Sequence, residues 1–184
     1  SAQAQFQSTG AVDEDTDGCG EYGSFGEMSG AVDLDTRGAG AGVSARLDPS
    51  ILGATFQVIN LNGDVTKSGY VFTMFLPDAT FAPQREAATP GGPGAVDADA
   101  CEVLWCAYGW PVDYGTTGNR AFFVNQRGEL LQSKMDVVQY SGSGATGIAT
   151  GVEAYQGATM DTQIGMAALG ASTSTDGNIW TPVQ

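Results

Sequence analysis

The chain has 184 residues, carries 7 Lys and Arg against 21 Asp and Glu for a formal net charge of −14, and contains no histidine. Without imidazole it builds no Ser/His/Asp or Cys/His catalytic centre and no His-containing zinc or iron site. Binding to a phosphate backbone needs several cations on one face. The charge therefore argues against nucleic acid and anionic membranes as partners, and it favours divalent cations.

Length and composition predict one domain, because 42% apolar residues are enough for one core at this chain length. We expect a helix tail at 1–9, an acidic loop region at 10–50, an antiparallel sheet at 51–140 and a loop-rich region at 141–184. The sequence as given contains neither a run of about 18 apolar residues nor a signal peptide. Its polar start is a good helix former without a preceding cap, which indicates the end of something longer.

Runs of β-forming residues predict the strands of the sheet, after an N-terminal helix that ends at Gly10. The turn signals NGD at 62–64 and QRG at 126–128 indicate two hairpins. The predicted strands are residues 55–61, 65–76, 102–108, 120–125 and 129–135, with a surface loop at 77–93. These connections favour a four- or five-stranded antiparallel meander.

Three cysteines leave an odd number of thiols. Cys101 and Cys106 would be about 16 Å apart on one extended strand, which is too far for a disulfide. A turn between them, or a pairing of Cys19 with either one, would remove that objection. One disulfide and three buried thiols are both open interpretations.

The acidic loop contains the strongest chemical motif, Asp13-x-Asp15-x-Asp17-Gly18, with Glu21 further along. Carboxylates at alternate positions before a glycine can direct several hard oxygens at one cation, and the seventh position, Cys19, would contribute its backbone carbonyl. The motif is not an EF-hand, because Ser24 stands at the twelfth position, where a bidentate Glu belongs. It predicts one Ca²⁺ site of another type, and the alternative is a solvated acidic turn.

The motif has two degenerate copies. In the second, Asp33 and Asp35 repeat the first two carboxylates, but Arg37 replaces the third, so an Asp/Arg turn is favoured over a second, weaker metal candidate. The third copy contains Asp97 and Asp99 without the glycine that follows the first motif. Whether either copy binds metal stays open at this stage.

Aromatic residues at 105–114 allow a different function. Trp105, Tyr108, Trp110 and Tyr114 could form a sugar-stacking platform, although core and turn packing is the commoner role of rings at strand spacing. A pair of buried carboxylates facing a cleft would instead indicate a glycosidase. Exposed rings would favour a carbohydrate-binding module, and buried rings would not.

Five segments, in this order, resemble the globular part of bacterial type IV pilin-like proteins, the prepilins with an N-terminal cleavage and methylation leader. They are SAQAQFQ at 1–7, DEDTDGCGEYG at 13–23, KSGY with MFLP at 67–77, WCAYGWP at 105–111 and GNRAFFVNQ at 118–126. The resemblance implies an α+β fold in which the C-terminal end of a long N-terminal helix packs on the four- to five-stranded meander, with long Gly/Asp-rich loops. It also implies an apolar helix upstream of Ser1, and some related pseudopilins hold Ca²⁺ in a loop.

The sequence thus predicts a non-enzymatic, homo-oligomeric subunit of an extracellular type IV pilus-like or secretion pseudopilus filament. We expect it to be anchored in the inner membrane before assembly, only through the upstream helix, and to be stabilised by one Ca²⁺. The candidate ligands are Asp13, Asp15, Asp17, the carbonyl of Cys19 and Glu21. The alternative is a secreted Ca²⁺-dependent carbohydrate- or surface-binding module. Pilus, pseudopilus and secreted fragment are not distinguished.

Overall fold

A seven-stranded antiparallel sheet organises the computed structural model, which describes residues 2–34, 45–86, 95–165 and 173–183. The strands are β1 Val65–Lys67, β2 Tyr70–Pro77, β3 Pro83–Arg85, β4 Cys106–Pro111, β5 Ala121–Asn125, β6 Leu131–Ser133 and β7 Thr181–Pro182. Their order is β1-β2-β4-β5-β6-β7, and β3 also pairs with β2. Because β4 pairs with β2 from Tyr70 to Phe75, β1 and β3 lie along the opposite edge of β2.

The β1–β2 hairpin depends on a two-residue turn at Ser68 and Gly69. Both residues have positive φ, 53° and 81°, as the tight hairpin turns that match strand twist require. Lys67 pairs with Tyr70 across this turn. The predicted strand 65–76 is therefore two strands, because the turn interrupts the run of β-forming residues.

Within the described residues, three α-helices lie on one side of the sheet: α1 Ala2–Thr9, α2 Phe25–Met28 and α3 Ala98–Val103. α1 ends at Gly10, whose φ is 60°, as the sequence predicts. Ser24 and Glu27 form a capping box at α2, and Asp97 accepts a hydrogen bond from Ala100 N at the start of α3. No helix within the described residues is long and apolar enough to cross a membrane.

The predicted fold class, the end of a long helix packed on a four- to five-stranded meander, is wrong. The described helices have eight, four and six residues, and the sheet has seven strands. Two strands lie where the sequence predicts none: β3 in the predicted surface loop and β7 in the loop-rich region. Both are only two or three residues long, so no local periodicity marks them; β3 pairs with the preceding β2 across the turn at 78–82, and β7 pairs with the distant β6.

Two further elements differ from the predictions for residues 51–108. Residues Ala54–Gln57 form a 3-10 helix after Gly53 instead of a strand. The predicted strand 102–108 begins only at Cys106, because α3 occupies the residues up to Val103.

The two faces of the sheet contact different parts of the chain. On one face, β2, β4, β5 and β6 pack against the C-terminal region in a core that contains Tyr108, Trp110, Phe123 and Trp180, each at most 1% exposed. On the other face, α1, α2 and the residues after α1 form a second core around Phe6 and Met28. Successive residues of a strand point to opposite faces, so Val71 and Phe75 belong to the first core and Met74 to the second.

Candidate functional site

The acidic motif forms a closed loop after α1. The amide of Glu21 donates to the carbonyl of Val12 at 3.1 Å, which joins the two ends of the loop. Inside it, Asp17 N donates to Asp15 Oδ1 and Gly18 N to Asp13 Oδ2, both at 3.2 Å. Gly18 has a φ of 94°, a conformation that L side chains rarely adopt.

The loop brings the three predicted carboxylates together. One oxygen from each of Asp13, Asp15 and Asp17 lies within 4.8 Å of the other two. Asp15 and Asp17 are exposed, and Asp13 is partly buried. The arrangement places hard oxygens at separations that one cation can bridge.

Helix α3 adds two carboxylates that the sequence does not assign to this site. Oxygens of Asp15, Asp99 and Glu102 lie within 4.8 Å of one another, and so do oxygens of Asp17 and Glu102 and the sulfur of Cys19. We call Asp13, Asp15, Asp17, Asp99 and Glu102 the acidic cluster. Asp99 belongs to the third copy of the motif, and Glu102 lies three residues further along α3.

Glu21 and Cys19 occupy different positions from the other predicted ligands. Glu21 is 1% exposed and its Oε1 accepts a hydrogen bond from Glu14 N at 2.8 Å, so it supports the loop from inside. Cys19 is exposed, and its amide donates to Asp17 Oδ1 at 2.7 Å. The side chain of Cys19, and not only its predicted carbonyl, lies beside the carboxylates.

Repulsion between like charges marks the acidic cluster. Asp15 is the main cause that raises the pKa of Asp99, followed by partial desolvation and Asp97. Desolvation, followed by the charges of Asp17 and Asp15, raises the pKa of Glu102. A divalent cation among these oxygens would reverse the sign of the local potential and favour the ionised forms.

The other copies of the motif serve mainly structural contacts. Asp33 pairs with Arg46 at 3.3 Å on the surface. Asp35 and Arg37 lie outside the described residues. In the third copy, Asp97 caps α3 and thereby directs Asp99 towards the loop.

No disulfide joins the three cysteines: Cys19 is exposed, and Cys101 and Cys106 are buried. The sequence leaves open one disulfide or three buried thiols. The second interpretation is correct for Cys101 and Cys106 and wrong for Cys19, which is exposed. Desolvation raises the pKa of Cys106 far above its ordinary range, which keeps this thiol neutral and unreactive.

The aromatic residues predicted as a possible sugar platform are mostly part of the cores. Trp105 is 7% exposed, and Tyr108 and Trp110 at most 1%. The indole of Trp110 donates to the carbonyl of Gly142 at 2.7 Å, and Tyr108 donates to that of Gly151 at 3.0 Å. These rings are not available for stacking, which removes the feature on which the carbohydrate-binding alternative depends.

An apolar groove, which no sequence motif marks, lies on the α1 side of the sheet. Its cavity volume is about 290 Å³, and the rim includes Ala2 and Gln3 of α1. A smaller cavity of about 100 Å³ continues it across Gly109 and Phe122. Phe72, Ala107 and Val124 line both cavities, and all three are partly exposed. Each of the three alternates along its strand with residues of the first core, and this alternation of apolar residues could have predicted an apolar surface on both faces of the sheet.

Ring contacts extend the apolar surface beyond the groove. Phe56 contacts Phe25 and Phe72 at centroid distances of 5.1 and 6.2 Å. Tyr70 contacts Phe72 and Phe122 at 6.4 and 5.8 Å. The five rings form a continuous series across this face. This partly exposed apolar face is a candidate interaction site.

Comparison of the chain with protein-family models, with curated proteins and with solved structures finds no match in any of the three. The resemblance to type IV pilin-like proteins therefore stays a prediction from the five sequence segments.

Proposed function

We propose that this protein is a structural subunit of an extracellular filament, of the type IV pilus-like or secretion pseudopilus kind, and that Ca²⁺ binds its acidic loop. The apolar groove beside α1 is the observation that carries the proposal. A single soluble subunit gains nothing from leaving such a surface in water, because burial is worth about 25 cal/mol per Å² of apolar area. An assembly subunit buries it in a contact.

The chemistry of the groove suits an apolar segment. The described lining contains no charged side chain, and Gln3 is its main polar member. The Gln3 amide is itself held, since its Nε2 donates to Gly23 O at 2.7 Å and its Oε1 accepts from Gly23 N at 2.9 Å. The apolar segment that the resemblance implies upstream of Ser1, from the same subunit or a neighbouring one, is the occupant we propose.

The Ca²⁺ part of the proposal depends on the acidic cluster. Five carboxylates from the loop and α3 lie close enough for overlapping sets of three to share one ion. Repulsion from Asp15 is the main cause of the raised pKa of Asp99, and at Glu102 the charges of Asp17 and Asp15 add to the effect of desolvation. A cation would relieve this repulsion. Ca²⁺ would then fasten the loop to α3, and so to the start of β4.

The filament proposal is tested by introducing a charge into the groove. In the full gene product, expressed with its secretion machinery, we expect Val124→Arg to abolish filaments seen by immuno-electron microscopy. Leu61→Arg is the matched control, since Leu61 is apolar, 90% exposed and outside the groove lining. Circular dichroism of both purified variants verifies folding. The proposal fails if the native gene product forms no filament, or if both variants assemble equally.

The Ca²⁺ proposal is tested by thermal unfolding in excess EDTA and in millimolar Ca²⁺. We expect Ca²⁺ to raise the melting temperature, because a ligand at 100 times its Kd adds about 2.7 kcal/mol of stability. Asp15→Asn should remove most of this increase, and Asp113→Asn, at an exposed position outside the cluster, should retain it. A melting temperature that Ca²⁺ does not change would contradict the proposal.

A further inference from the structure

The acidic cluster and the two cations Arg120 and Lys134 lie at opposite ends of the sheet. The acidic cluster is at the end where α3 leads into β4, beside the end of β5, because Cys106 pairs with Asn125. Arg120 directly precedes β5 and Lys134 directly follows β6, and the neighbouring Ala121 and Ser133 are paired. The four residue steps along β5 separate the two ends by about 14 Å.

The second end contains a cleft with a volume of about 320 Å³. The residues that line this basic cleft are Arg120, Gln132, Lys134, Asp136, Ile179 and Thr181. Arg120 Nη1 donates to Gln132 Oε1 at 2.7 Å, which fixes the guanidinium at the rim. With Asp136 counted, the lining still carries one net positive charge in a chain of net charge −14.

The cations of the basic cleft differ from two other arginines of the chain. Arg46 pairs with Asp33, and Arg85 pairs with the buried Asp64 at 3.5 Å. Within the described ranges, neither Arg120 nor Lys134 lies within ion-pair distance of a carboxylate. Both are exposed, so their charges are directed at solvent and at approaching molecules.

We infer that the basic cleft of one copy receives the acidic cluster of the next copy. The inference rests on the proposed filament and names one contact within it. Two unlike surfaces on one chain form a heterologous contact, and repetition of such a contact produces an open chain of subunits instead of a closed dimer. A symmetric contact between two acidic ends would be repulsive, so the charges also set the polarity of the filament.

Ca²⁺ in the acidic cluster is compatible with this contact. The five carboxylates carry up to five negative charges, and one Ca²⁺ leaves three of them uncompensated. Arg120 and Lys134 would then meet a surface that is still negative. The ion shapes the loop, and the remaining carboxylate oxygens face the neighbouring copy.

The chain contains only two lysines, Lys67 and Lys134, which makes the contact directly testable. Carbodiimide joins an amine to a carboxylate only where the two touch. We expect treatment of the purified chain, at high concentration and low salt, to yield an intermolecular link between Lys134 and a carboxylate of the acidic cluster, identified by mass spectrometry. Lys134→Gln should lose this link, and Lys67→Gln should retain it.

Salt and filament assays separate this inference from the proposed function. The link should weaken as the ionic strength rises from about 0.02 M to about 0.5 M, since the Debye length falls several-fold. Links only at Lys67, or links that Lys134→Gln leaves unchanged, would overturn the inference. If filaments form in cells but the Lys134 link is missing from them, the inference fails and the proposed function stands. If the link forms but no filament does, the proposed function fails.

Discussion

Replacement of Glu86 tests how strongly one buried carboxylate fastens the acidic loop region to the sheet. Glu86 directly follows β3, is 2% exposed and accepts two backbone hydrogen bonds at the start of α2. Its Oε2 accepts from Phe25 N at 3.0 Å, and its Oε1 from Gly26 N at 2.8 Å. The sequence contains no local signal for this contact, because about sixty residues separate the partners.

The structure sets the expected magnitude. Glu86→Ala leaves two buried amides without this acceptor, and each such loss costs about 1–3 kcal/mol. We therefore expect a loss of roughly 3–5 kcal/mol in the free energy of unfolding. Glu86→Gln retains one acceptor oxygen but turns an NH₂ group towards the second amide, so it should lose about half as much.

Urea unfolding followed by circular dichroism measures these changes from the transition midpoint at a constant m-value. Glu129→Ala is the control, because Glu129 is exposed and its loss should change stability by less than about 0.5 kcal/mol. If Glu86→Ala is as stable as the control, the two hydrogen bonds of Glu86 do not contribute to stability what their burial and geometry indicate.

Two further predictions concern the acidic cluster. Because the pKa of Asp99 is raised in the folded state, this residue's contribution to folding stability is fully present at low pH and is lost as the pH rises through the folded-state pKa. In EDTA, Asp99→Asn should therefore melt above the native chain at neutral pH, with a difference that vanishes towards pH 4; a difference independent of pH would contradict this. With Ellman's reagent, one thiol, Cys19, should react in the folded chain and the two buried thiols only after unfolding. Asp17→Asn should accelerate the reaction of Cys19 with the reagent, because the charge of Asp17 is the main cause of the raised pKa of this thiol. An unchanged reaction rate would contradict this explanation.

Local sequence signals predict the parts of the fold that depend on neighbouring residues. The end of α1 at Gly10, the hairpin of β5 and β6 and the long strand β2 follow from glycine, turn and β-forming residues. The whole fold class does not follow, because β3 and β7 are too short to show a periodicity and β7 forms only through pairing with the remote β6. The residues TFQ at 55–57 favour a strand, but after Gly53 they form part of a 3-10 helix.

The candidate site divides in the same way. The spacing of Asp13, Asp15 and Asp17 predicts that their oxygens converge, and they do. The contribution of Asp99 and Glu102 could not be predicted, because the distance between the loop and α3 depends on how both pack against the sheet. One link between them is the hydrogen bond from Tyr22 N to Cys101 O at 2.9 Å.

The position of Trp180 in the first core has a consequence for the order of events during synthesis. Its fully buried indole contacts the rings of Tyr108 and Phe123, and β7 immediately follows it and pairs with β6. The ribosome therefore completes β2, β4, β5 and β6 well before the residues that cover them. Part of one face of the sheet stays exposed to water until translation reaches that tryptophan, so the nascent chain is prone to aggregation at this stage.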